Sequence, residues 1–195
     1  VRRRAAAAIL AAAALAIVPA GAQGGGGHHH ARVRVFVNGD SLAVGTAPYL
    51  PGDLARYRLT QSASISRHAP EGVDLVRHFP GKLPRIIVMQ LGTNDDPGAT
   101  SDFRSAVRST IHIAGPGRCV VWVNIVRPPV GGNSYAGYNR ILSEENRDHP
   151  TFRVVKWTHI VASQHLQLSA DGVHPTASGY QVRAKAIAQQ VRRCN

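Results

Sequence analysis

Four residues, Ser41, Asn94, Asp171 and His174, have the types that acyl transfer from an ester requires. They lie in three short polar blocks, Gly39-Asp40-Ser41, Gly92-Thr93-Asn94 and Asp171-Gly172-Val173-His174. A hydroxyl is a weak nucleophile near neutral pH, so attack needs an imidazole to take its proton and a carboxylate to hold that imidazole in the right tautomer. Asp171 and His174 supply both from one loop. The tetrahedral intermediate carries a negative oxygen, for which the Asn94 side-chain amide is a donor; losing one such donor costs roughly 2.7–4 kcal/mol.

Each block also has a plainer reading. Ser41 follows an apolar run and suits a helix N-cap, a role compatible with nucleophilicity. Asp40 fixes the turn and stays outside the triad, while Asp95 and Asp96, before Pro97, read as turn and helix-start residues rather than metal ligands. Among the ten histidines, only His174 has a paired carboxylate motif; the others default to solvated or structural roles. Arg127, in the loop after the fourth predicted strand, could meet an anionic or carbonyl group of the substrate or simply face solvent.

Taken in order, the blocks resemble those of the SGNH (GDSL) hydrolases over residues 33–193. In that family Gly-Asp-Ser carries the nucleophile, Gly-Thr-Asn-Asp the oxyanion asparagine, and Asp-x-x-His the base with its carboxylate. The resemblance implies a sheet order of 2-1-3-4-5, a Ser41–His174–Asp171 triad, and an oxyanion hole built from Asn94 and the Ser41 main-chain N–H, with no cofactor or metal. The family also places a glycine after the second strand, whose N–H joins the oxyanion hole. Here the matching words are Ile65-Ser66-Arg67. Ser66 is the expected donor through its backbone, with Ser64 and Gly72 as rivals.

Periodicity gives the strands and helices that carry these residues. Apolar, β-branched runs at 33–37, 57–60, 85–91, 118–125 and 152–157 predict five strands. Helix-period segments at 71–79, 102–114 and 135–147, and a last helix bearing Tyr180, Ala184, Ile187, Val191 and Cys194 on one stripe, lie between and after them. Alternating strands and helices argue a parallel sheet covered on both faces, a three-layer α/β/α sandwich, with 86–91 and 119–123 as central strands. Ligands of such sheets bind beyond the carboxyl ends of the strands, at the switch in strand order. The Ser41 and Asn94 loops both leave from there.

Arg2-Arg3-Arg4, the apolar stretch 5–18 and Ala20-Gly21-Ala22 predict a cleaved signal peptide over 1–22. Its apolar run falls short of the ~20 residues of a membrane span. Residues 23–32, with four glycines and His28-His29-His30, read as a linker rather than a metal site, leaving a single domain over 33–195. Removing Arg2, Arg3 and Arg4 lowers the net charge from +12 to +9. All the basic residues but Lys82, Lys156 and Lys185 are arginine, and no aromatic-studded basic motif appears, which argues against nucleic acid. An anionic cell-wall polymer or lipid surface is the expected macromolecular contact of a secreted or cell-envelope monomer. In an oxidising compartment Cys119 and Cys194 are expected to pair, since the last helix runs antiparallel to the strands and returns its end to the start of the fourth.

The sequence therefore predicts an esterase acting on small-molecule or glycan esters, with short acyl or acetyl groups. A similarity to the extracellular domain of peptidoglycan O-acetyltransferases raises a sugar hydroxyl as alternative acceptor, although the long membrane region of those enzymes is not encoded here. A non-catalytic carbohydrate- or lipid-binding module of the same fold is the third reading.

Overall fold

The computed structural model describes residues 31–194; the predicted signal peptide and all but the last two residues of the predicted linker lie outside the described residues. The strands are β1 (Arg34–Gly39), β2 (Arg58–Ala63), β3 (Ile86–Gln90), β4 (Cys119–Val123) and β5 (Phe152–Val155). Every pairing is parallel, in the order β2-β1-β3-β4-β5. The register sets Gly39 opposite Gln90, so the chain leaves β1 and β3 at neighbouring points of one sheet edge.

Side chains alternate across the sheet, as the strand period of two requires. Ile87 and Met89 of β3 join Phe103, Val107, Trp122 and Leu142 on one face, whereas Ile86 and Val88 join Val121, Ala184 and Ile187 on the other. The helices α3 (Ala69–Arg77), α4 (Thr100–Ala114) and α5 (Ala136–Asp148) supply the first layer; α1 (Ser41–Thr46), α2 (Leu50–Asp53), α6 (Trp157–Ser163) and α7 (Ala177–Arg192) belong to the second. Both predicted central strands are wholly buried. The three-layer sandwich and its strand order follow the expectation.

The departures have local causes. The run 152–157 stops being strand at Val155, and Trp157 opens α6, because an apolar run that stays buried cannot reveal a switch from strand to helix. The second strand extends beyond the predicted 57–60 to Ala63. It lies at the sheet edge, where polar Thr60, Gln61 and Ser62 need no apolar cover. Neither α2 nor α6 was predicted; at four and seven residues they are too short for a helical period to show. Cys119 opens β4, and Cys194 lies just beyond α7 rather than on it; the two are joined in a disulfide with Cα atoms 5.7 Å apart.

Candidate active site

Ser41 owes its position to a tight strand-to-helix turn. A Cβ on Gly39 would fall 2.5 Å from the Ala43 Cβ and 2.8 Å from the Gln90 Cβ, so only glycine allows the turn. Asp40, fully buried, caps α1: its Oδ1 accepts the Leu42 N–H at 2.9 Å, and its own N–H donates to the Gln90 carbonyl at 3.2 Å. The capping role expected of Ser41 thus belongs to Asp40. Ser41 takes the first helical position, its main-chain N–H among the orphan donors of the first turn, and its Oγ lies 2.8 Å from His174 Nε2.

His174 is held by a short, self-bonded loop before α7. Its Nδ1 lies 2.6 Å from Asp171 Oδ2. The other carboxylate oxygen accepts the Val173 N–H at 2.8 Å and the His174 N–H at 3.1 Å, with Ser169 Oγ 2.8 Å away. These bonds, the one from the His174 ring foremost, hold the Asp171 carboxyl well below the usual carboxylate range. Gly172 turns the loop at φ +67°, and a Cβ there would meet Pro128 at 2.8 Å. Ser169 N–H donates to the His174 carbonyl at 2.7 Å, closing the loop on itself. The Asp171 side chain remains 47% exposed, so the His–Asp pair faces solvent rather than the core.

Asn94 reaches the same place from β3. Its Nδ2 lies 3.3 Å from the Arg67 carbonyl and 3.5 Å from Asp40 Oδ2, which brings it beside the residue preceding Ser41. Gly92, at φ +113°, lets this loop pass Ile125 and Phe103, into which any Cβ would run. Asp95 caps α3 by accepting the Ala69 N–H at 3.0 Å, and Asp96 accepts from Gly98 N–H at 2.9 Å; Asp95 is thus a helix-start residue, but for a helix earlier in the chain. Burial pushes the Asp95 carboxyl up, against the Ala69 N–H and His68.

Ser66 is exposed and left-handed, at φ +62°. A serine therefore keeps the backbone shape that glycine adopts most readily. Its rivals are committed elsewhere. Ser64 N–H donates to the Gly39 carbonyl at 3.1 Å, and Gly72 N–H to the His68 carbonyl at 3.2 Å. Among the described residues the Ser66 N–H has no partner.

Arg127 does come to this edge, but it is engaged with the protein itself: Nη1 donates to the Thr93 carbonyl, next to Asn94, and the guanidinium lies 6.0 Å from the Tyr135 ring centroid. Tyr135 Oη donates to the same carbonyl at 3.0 Å.

Two further polar residues lie beneath the site, neither of them given a role there by the sequence. Arg67 Nη1 bonds Asn38 Oδ1, the Gly39 carbonyl and the Ser62 carbonyl at 2.9, 3.2 and 2.7 Å, fastening the ends of β1 and β2. Arg183 of α7 is buried, with Nε donating to Gln90 Oε1 at 3.1 Å and its guanidinium 5.0 Å from the Trp157 ring centroid. Burial lowers its pKa to about 10, so it stays charged at neutral pH; burial likewise pushes the Asp40 carboxyl up, a shift that the Leu42 N–H and the Arg183 charge offset only in part. An arginine one residue before Ala184, on the apolar stripe of α7, was the only signal in the sequence.

No family model matches the sequence, and no curated protein matches it. Solved structures do. The C-terminal catalytic domain of peptidoglycan O-acetyltransferase A from Streptococcus pneumoniae is 16% identical with a TM-score of 0.66, over 84% of this chain and 93% of that one. A member of the lipolytic protein G-D-S-L family from Veillonella parvula is 17% identical with a TM-score of 0.65, covering 81% and 97%. A GDSL-like lipase from Bacteroides thetaiotaomicron is 16% identical with a TM-score of 0.62, covering 84% and 89%. The fold is the one these proteins share.

Proposed function

We propose that this chain is an SGNH-type serine hydrolase that cleaves carboxylic esters after export. At the level of fold, the similar structures support a hydrolase or an acyltransferase. The finer reading rests on one observation, the line of short contacts from Ser41 Oγ to His174 Nε2 at 2.8 Å and from His174 Nδ1 to Asp171 Oδ2 at 2.6 Å.

In this mechanism Ser41 Oγ attacks the ester carbonyl carbon while His174 Nε2 takes its proton. Asp171 holds Nδ1–H and balances the imidazolium charge. Asn94 Nδ2 and the main-chain N–H groups of Ser41 and Ser66 receive the oxyanion. The imidazolium then protonates the departing alcohol oxygen, leaving an acyl-Ser41. Water, deprotonated by His174, attacks that acyl group and frees the acid. Val44, Ile65 and Val130, exposed large apolar residues on α1 and on the loops after β2 and β4, belong to the same sheet edge and suit a short acyl chain.

A fluorophosphonate probe should label Ser41 and no other serine, and acetyl and short-chain aryl esters should turn over faster than long-chain ones. Absence of labelling in folded protein would leave a binding module. The acceptor is tested with an acetyl donor and glycan oligomers: free acetate supports hydrolysis, an O-acetylated glycan the transferase reading. Export is tested by sequencing the N-terminus of secreted protein, expected to begin at Gln23.

A further inference from the structure

The sheet edge farthest from Ser41 gathers positive charge. Arg34 opens β1, Arg85 immediately precedes β3 and Arg118 immediately precedes β4, while Arg32 and Lys82 come from the segments leading into β1 and β3. Because all the strands are parallel, these residues lie together at their amino ends, about 17 Å from the catalytic edge for a strand of five residues. They surround one hollow of about 430 Å³, whose remaining lining is Leu83 and the Pro116-Gly117 turn.

Two of the cations are fixed from behind. Arg34 Nη2 donates to the carbonyls of Lys82 and Leu83 at 2.6 and 3.3 Å; Arg118 donates through Nε to Leu83 at 3.4 Å and through Nη1 to Ala114 at 2.9 Å. A guanidinium carries five N–H donors, so each keeps others to offer. Arg32, Lys82 and Arg85 are exposed and form no ion pair with a described residue. No carboxylate lines the hollow. Elsewhere, Asp40, Asp95 and Asp171 serve the catalytic edge, and Glu144 and Glu145 pair with Arg104 and Arg108. Five like charges around one concavity repel one another unless an anion enters.

We propose that this hollow is the docking site of a linear phosphate-bearing polymer. Arginine forks match phosphate oxygens bidentately, and five cations ask for several anionic groups in succession rather than one. The lining has no aromatic ring on which a nucleic-acid base could stack. It has none of the exposed large apolar residues, Val44, Ile65, Leu75 and Val130, that would enter a bilayer. A polymer held here leaves the Ser41 cleft open, at the opposite edge of the sheet. The inference is independent of the chemistry at Ser41.

Fluorescence anisotropy with end-labelled, long-chain inorganic polyphosphate and the full chain tests it. Binding is expected at low salt and should weaken steadily as salt rises, because bound counterions are released on association. The triple variant Arg32→Glu/Lys82→Glu/Arg85→Glu should lose affinity by about thirtyfold while hydrolysing an aryl ester at the wild-type rate. The variant Arg140→Glu/Lys156→Glu/Lys185→Glu, with the same charge change on exposed residues outside the hollow, should lose less than about threefold. Should the glutamates disturb folding, glutamine at Arg32, Lys82 and Arg85, set against glutamine at Arg140, Lys156 and Lys185, gives the same charge-matched comparison. Equal losses in the two triples would overturn the proposal by reducing it to net charge. So would absence of polyphosphate binding, or tighter binding to phosphatidylglycerol vesicles or to a single-stranded oligonucleotide.

Discussion

His174 Nδ1 stands 2.6 Å from Asp171 Oδ2, on a carboxylate that also gathers the N–H groups of Val173 and His174. One short loop thus contains the base, the group that orients it and the bonds that keep that group ionised. Water reaches the pair, since Asp171 is 47% exposed. Ser41→Ala and His174→Ala should each lower kcat by about 10⁴-fold or more, as nucleophile and base act as a unit. Asp171→Asn should cost about 10²-fold, less than the ~10⁴ of a buried triad carboxylate, because solvent shares the imidazolium charge. Steady-state kinetics on an aryl ester measures all three.

Asp171 also gives a pH signature in stability. Its carboxyl titrates below the ordinary ~3.9 in the folded protein. The unfolded chain therefore takes up the proton first, and the stabilisation, complete above about pH 5, declines as pH falls below ~3.9 toward the folded value. Thermal melts from pH 5 to pH 2 should show a shallower acid decline in Asp171→Asn than in the wild type. Identical slopes would mean that the carboxylate's hydrogen bonds do not stabilise the fold.

At Ser66 the left-handed backbone changes which substitution is informative. Proline, locked near φ −65°, cannot occupy a site at φ +62°, so Ser66→Pro would rebuild the loop rather than delete one donor. Ser66→Gly relieves the strain and should raise stability by about 0.5–1 kcal/mol with kcat nearly unchanged, because only the main-chain N–H acts. Urea unfolding and kinetics together decide it. A large fall in kcat would assign the hydroxyl a part in the reaction.

Arg127 and Tyr135 converge on the Thr93 carbonyl, one residue from Asn94. Arg127→Ala should lower kcat by about tenfold with little change in KM, because loosening the loop displaces an oxyanion donor that matters in the transition state. Direct binding of substrate by the guanidinium would instead raise KM and spare kcat.

Reduction of Cys119–Cys194 frees a 75-residue loop, for which the chain-entropy model gives a loss of about 4 kcal/mol. Tm with and without a phosphine reductant measures it, and mass spectrometry of the non-reduced protein should show no alkylatable thiol.

The sheet and the residues brought to one of its edges were legible in the chain of apolar runs and polar blocks. Buried parallel strands must be continuously apolar, and runs such as Ile86–Gln90 and Cys119–Val123 announce themselves; Gly39-Asp40-Ser41 and Gly92-Thr93-Asn94 then leave adjacent strands. The Asp171–His174 spacing is likewise a local property. Other long-range contacts emerged only in the tertiary structure. Asp40, not Ser41, became the cap because the strand-to-helix turn places its carboxylate over the Leu42 N–H. Arg127 bonds a carbonyl 34 residues away, and Arg183 reaches Gln90 across 93 residues. A side-chain bond to a distant backbone atom or amide leaves no period and no motif. The hollow at the far edge is of the same kind, since Arg32, Lys82, Arg85 and Arg118 become neighbours only when the parallel register brings the amino ends of β1, β3 and β4 together.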